Sequence, residues 1–89
     1  MHIFEIRSGP EIEATVFARS HDHAAELYMA WCIMNGVDML PPLEVAEYDH
    51  AGHQRHADEA LSRNIAGIGQ YDERAAWTVV TPERFGEIA

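Results

Sequence analysis

Three observations on this sequence predict an α+β domain. Two short alternating segments separated by turn chemistry stand at the N-terminus. A helical, apolar-faced stretch bounded by Ser20 and Gly36 follows them, and weaker strand and helix signals then alternate to the end. The order reads ββαβαβα. Strands joined by short turns pair antiparallel, so the expected architecture is two-layered, a mainly antiparallel sheet with helices on one face. With 89 residues, the chain has room for one core, so 1–89 is read as a single domain.

His2 to Arg7 reads as the first strand, with Phe4 and Ile6 pointing one way and Ile3, Glu5 and Arg7 the other. Ser8-Gly9-Pro10 supplies a turn. Glu11 to Arg19 alternates cleanly. Ile12, Ala14, Val16 and Ala18 form the inward set, and Glu11, Glu13, Thr15, Phe17 and Arg19 the outward one. These two segments make a hairpin. In the long helix, Ser20 is placed to cap the first turn, Asp22 complements the positive end of the dipole, and Gly36 can take the left-handed terminus. Ala24, Leu27, Tyr28, Trp31 and Met34 recur along one face. The small Ala14 and Ala18 leave room for that face, so Trp31 is expected against Phe4, Val16 or Trp77.

Pro41-Pro42 stiffens the connector that follows, and Leu43 to Tyr48 reads as a third strand. Asp49 to Gly52 is a loop, and His53 to Ala66 a second helix with Ala57, Ala60, Leu61 and Ile65 inward. Gly67-Ile68-Gly69 is expected to stop that helix, with a polar loop over Tyr71 to Arg74. Ala75 to Val80 is the fourth strand. Thr81-Pro82-Glu83 is a helix start, N-cap followed by Pro at N1, for a short helix ending near Ile88.

Composition narrows the function classes. Six Arg and no Lys against fifteen acidic residues give a net charge of −9. Such a surface does not neutralise phosphates, which argues against direct nucleic-acid binding and against adsorption to anionic lipid. The single cysteine, Cys32, excludes an intrachain disulfide and a Cys-based zinc site. No apolar run reaches membrane-spanning length and the N-terminus lacks a basic leader, so a cytoplasmic, non-membrane protein is expected.

No enzyme signature stands out, and no cofactor is implied. Gly67-Ile68-Gly69 lacks the third glycine of a nucleotide fingerprint and stands beside Asp72 and Glu73. Cys32 lies mid-helix with no base nearby in sequence. His50, His53 and His56 recur three apart beside Asp49 and Asp58, a weak zinc or nickel candidate, since His50 precedes the helix start. Two features point elsewhere. Glu5, Glu11 and Glu13 share the predicted open sheet face, with Glu44 and Glu47 on the third strand, an acidic array spaced somewhat like phosphates. Behind Asp22 and Glu26 the long helix turns apolar at Met29 and Ile33, which are either covered by the second helix or offered to another protein.

The sequence thus supports a non-enzymatic binding domain for a basic partner protein, its contacts being Glu5, Glu11, Glu13, Glu44, Glu47, Met29 and Ile33. A concrete form is a phage- or plasmid-type inhibitor that mimics nucleic acid toward a defence complex or nuclease. The alternatives are a histidine-dependent metal-binding domain and a structural homodimer or higher homo-oligomer.

Overall fold

The computed structural model describes residues 1–38, 43–48, 54–72 and 76–87. In chain order the elements are β1 (His2–Ser8), β2 (Glu11–Ala18), α1 (His21–Asn35), β3 (Glu44–Glu47), α2 (Gln54–Ser62), β4 (Gly67–Asp72), β5 (Ala76–Val80) and a 3-10 helix (Pro82–Glu87). All five strands join one antiparallel sheet in the order β3-β1-β2-β4-β5, an α+β fold. The expected Pro41-Pro42 connector and the loop at 49–52 lie outside the described residues, as do His53, Glu73, Arg74, Ala75 and Ile88.

Local chemistry accounts for the first half of the chain. Ser8 pairs with Glu11, leaving Gly9 and Pro10 as a two-residue hairpin loop. Gly9 takes φ 60 and Pro10 cannot, the pattern of a type II′ turn, whose twist matches that of the flanking strands. Ser20 has extended backbone and its Oγ accepts from the His23 N–H at 3.1 Å. His23 adds a second bond at this end, its Nδ1 accepting from the N–H of Arg19, the residue before the cap, at 3.1 Å. At the other end Gly36 is left-handed at φ 64, and the Val37 N–H reaches the Cys32 carbonyl at 2.9 Å.

The sheet is apolar on both sides, and this changes the layer count. Phe4, Ile6, Val16, Ala18, Ile68 and Val80 face Ala24, Leu27, Tyr28 and Cys32 of α1, with Phe85 of the 3-10 helix closing the end. Asn35 fastens that end: its Nδ2 donates to the Trp31 carbonyl at 2.9 Å and to the Phe85 carbonyl at 2.8 Å. On the reverse face Ile3, Phe17 and Trp77 pack against Ala57 and Ala60 of α2. The expectation of helices on one face is therefore corrected. Ile3 and Phe17, read as outward, are buried hydrophobics, and two small alanines let α2 lie close over them. Trp31 and Trp77 accordingly sit in different layers. Trp31 is only half-buried, stacked on Tyr28 with ring centroids 6.1 Å apart.

The order ββαβαβα is corrected too, because Gly67 to Asp72 is a strand and not a helix stop followed by a loop. Helix α2 ends earlier, at Ser62, with Asn64 left-handed at φ 54, and Ile65 lies exposed beyond it. The glycines of β4 answer to packing. A Cβ on Gly69 would stand 2.7 Å from Phe17 Cε1 and 3.3 Å from Trp77 Cε3, and one on Gly67 would strike the Val80 carbonyl. Phe17 and Trp77 meet edge to face across this gap, centroids 5.4 Å apart, with Tyr48 and Tyr71 completing the ring cluster. β5 forms the sheet edge beyond, where Arg63 Nη1 donates to the Trp77 carbonyl at 2.9 Å.

Candidate functional site

Because α2 lies on the reverse face, it does not cover the back of α1. The helix buries Ala24, Leu27, Tyr28 and Cys32 and turns Asp22, Glu26, Met29, Ala30 and Ile33 outward. Ile33 is 72% exposed and Met29 46%. Met34, expected inward, is 61% exposed, although its methyl group lies near Gly86, and Val37 is exposed just past the cap. The first turns of this surface are acidic and the last two are apolar, with no basic residue in the final turn. Scattered exposed hydrophobics are ordinary; Met29 and Ile33, one turn apart on the outward side of α1, form a pair suited to a contact surface, with Met34 and Val37 exposed nearer the 3-10 helix and past the cap.

The five glutamates expected to form one array are dispersed. Glu5 is only 5% exposed, and Arg7 Nη2 approaches its carboxylate oxygens at 3.3 and 3.4 Å. A bulge explains Glu13. Ile6 pairs with Ala14 but Arg7 pairs with Ile12, so β2 carries one extra residue at Glu13. Past this point the faces exchange: Ile12, expected inward, is 59% exposed, and Glu13 turns toward Tyr28 on the α1 side. Glu11 is exposed at the hairpin end. Glu44 lies opposite Arg7 and Glu47 opposite Phe4, which puts them on opposite faces of β3, with Glu47 Oε1 3.0 Å from His2 Nδ1. The open acidic sheet face is therefore corrected, by burial of Glu5 and by the bulge.

What the bulge creates is a cleft. Ser8, Glu13, Tyr28, Asp38 and Leu43 enclose about 30 Å³, room for a water or two, between the hairpin and the end of α1. Burial, then the contact with the Cys32 thiol, then the negative charge of Glu13 push the Tyr28 phenol up to about 12. Tyr28 therefore presents a neutral oxygen at any physiological pH. Sequence reading missed this site, since the alternation of Glu11 to Ala18 gives no sign of an extra residue.

Among the described residues no group of three or more His, Cys, Asp and Glu is placed to hold a metal ion. The His50 and His53 positions lie outside the described residues, and His56 falls in α2 with its side chain undescribed. Cys32 is a buried free thiol. Among the described residues no helix is long and apolar enough to cross a membrane. No protein-family model, no curated protein and no solved structure matches this chain.

Proposed function

We propose that the chain is a non-enzymatic binding domain that engages a basic partner protein through the outward side of α1. The observation that carries this reading is the exposed pair Met29 and Ile33, one turn apart on the outward side of α1 after Asp22 and Glu26, with Met34 and Val37 exposed nearby. Apolar side chains at the centre of such a surface set how slowly a partner leaves, and the surrounding carboxylates set how fast it arrives. A second copy is the poorer occupant. Each chain carries a net charge of −9, and α1 offers no cation to offset repulsion between two such faces. The inhibitor form of this reading, directed at a nucleic-acid-binding defence complex or nuclease, now rests on α1 and the hairpin tip at Glu11. A phosphate-like ladder on the sheet draws no support from the positions of Glu5 and Glu13.

The test compares two variants with the parent chain in partner capture at low and high salt. Met29→Asp/Ile33→Asp should abolish capture while leaving the circular dichroism spectrum unchanged, because exposed positions rarely shift stability by more than about 0.5 kcal/mol. Glu11→Gln/Glu44→Gln/Glu47→Gln should weaken capture only modestly and flatten its salt dependence. Full retention of the partner by the helix variant would refute the reading.

A further inference from the structure

We propose that the cleft between the hairpin bulge and the end of α1 seats the ammonium group of a lysine presented by the partner protein. This deepens the reading above and rests on it for the partner. Of the five described residues lining the cleft, four, Ser8, Glu13, Tyr28 and Asp38, offer oxygen atoms, and none of the five is basic. An ammonium carries three donors and no acceptor, the complement of that lining. Leu43 supplies an apolar wall for the methylene stem, which lysine habitually lays along such surface.

Glu13 and Asp38 are exposed, and it is the buried wall behind them that separates this place from a patch of surface carboxylates. Tyr28 is a buried side chain of the α1 core, so its oxygen is fixed in the wall by packing. Its phenol stays protonated, because burial, the Cys32 thiol and Glu13 all oppose a second anion there. The last turn of α1 adds to the attraction. Its terminal carbonyls carry partial negative charge, no basic side chain in that turn compensates them, and Asp38 follows two residues after the Gly36 cap. Shape separates the two basic side chains. An ammonium is a compact charge whose three donors rotate to meet separate oxygens, whereas a guanidinium is a rigid planar fork suited to one carboxylate or phosphate. Position ties the cleft to the helix surface, since Met29 is the residue after Tyr28 along α1. A lysine anchored in the cleft would bring its neighbours in the partner onto the Met29 and Ile33 row.

The experiment is an NMR titration of the full chain with Nα-acetyl-lysine amide, and separately with the arginine and norleucine counterparts. The lysine probe should shift the backbone signals of Ser8, Glu13 and Asp38 saturably, and the arginine probe should bind several-fold more weakly. Norleucine, which keeps the stem and lacks the charge, should leave those signals in place. Glu13→Gln and Asp38→Asn should each weaken the lysine probe several-fold, with signals elsewhere unmoved to show an intact fold. Absence of a saturable shift, equal binding of norleucine or arginine, or unchanged affinity in both variants would overturn the proposal. No partner enters this titration. Its failure would remove the lysine site and leave the helix surface standing, whereas a failed partner capture would leave the titration result in force.

Discussion

Burying a carboxylate in a sheet face is costly unless its charge is met, and at Glu5 Arg7 meets it from two residues along the same strand face. The asymmetry of such a pair is measurable. Arg7→Ala should cost about 2 kcal/mol in chemical denaturation, because it strands a buried charge, while Glu5→Gln should cost less than about 1 kcal/mol. Tyr28 gives a pH-dependent counterpart. Its folded pKa, about 12, lies above the ordinary value of 10.0, so its contribution to stability is fully present below pH 10 and is lost as pH rises through 12. Tyr28 should ionise late in a near-ultraviolet titration, and Tyr28→Phe should remove that late phase. Neither residue announces its setting in the sequence. Glu5 alternates with Phe4 and Ile6 as an outward residue would, and only the rings packed on the reverse face reveal a second buried layer. Glu13 is the same lesson in sharper form, since a bulge changes the side a residue faces without changing the letters around it.

Elements whose ends carry their own chemistry were legible, and those defined by a partner element were not. The Ser8-Gly9-Pro10 turn, the Ser20 cap and the Gly36 terminus are local instructions, and β1, β2 and α1 lie within a residue of their expected bounds. β4 has no such signal. Gly67-Ile68-Gly69 spells a helix stop in isolation, yet it forms a strand in which Gly69 leaves the space that Phe17 and Trp77 fill and Gly67 lets the Val80 backbone approach. Gly69→Ala should accordingly cost about 1–3 kcal/mol by overpacking, whereas the same change in a helix-terminating loop would cost little. At the C-terminal end Asn35 bridges α1 to the 3-10 helix through two carbonyls. Asn35→Ala should cost about 1–2 kcal/mol and speed amide hydrogen exchange around Phe85 more than in the sheet. The two sheet edges differ as well. β3 is short and carries Glu44 and Glu47, while β5 is uncharged along Ala76 to Val80 and has Arg63 bound to the Trp77 carbonyl. Arg63→Ala should raise self-association in sedimentation at high salt, where the net charge no longer keeps copies apart.

At the scale of the whole molecule, two helices on opposite faces of a five-stranded sheet leave the outward side of α1 without a cover among the described residues. That consequence of topology is why the contact surface we propose lies on a helix and not on the sheet, where the glutamate pattern pointed. The amphipathic break after Glu26 was already visible in the sequence, but whether Met29 and Ile33 were covered depended on which face α2 chose. The charge of −9 acts on every face, so it speeds the approach of a basic partner without selecting where that partner lands. Raising the salt should therefore slow association far more than it hastens dissociation, a difference surface plasmon resonance reads directly. Where the partner lands is the central claim, and photo-crosslinking from single positions tests it most directly. A photoreactive residue placed at Ile33, and in separate chains at Glu11 and at Asn64 beyond the end of α2, reports what each surface touches in extract of the native host. The Ile33 chain should yield one dominant product with a protein of net positive charge, lost when Met29→Asp is added, while the Asn64 chain yields none. Crosslinking of that same protein from Asn64 and not from Ile33 would contradict the account.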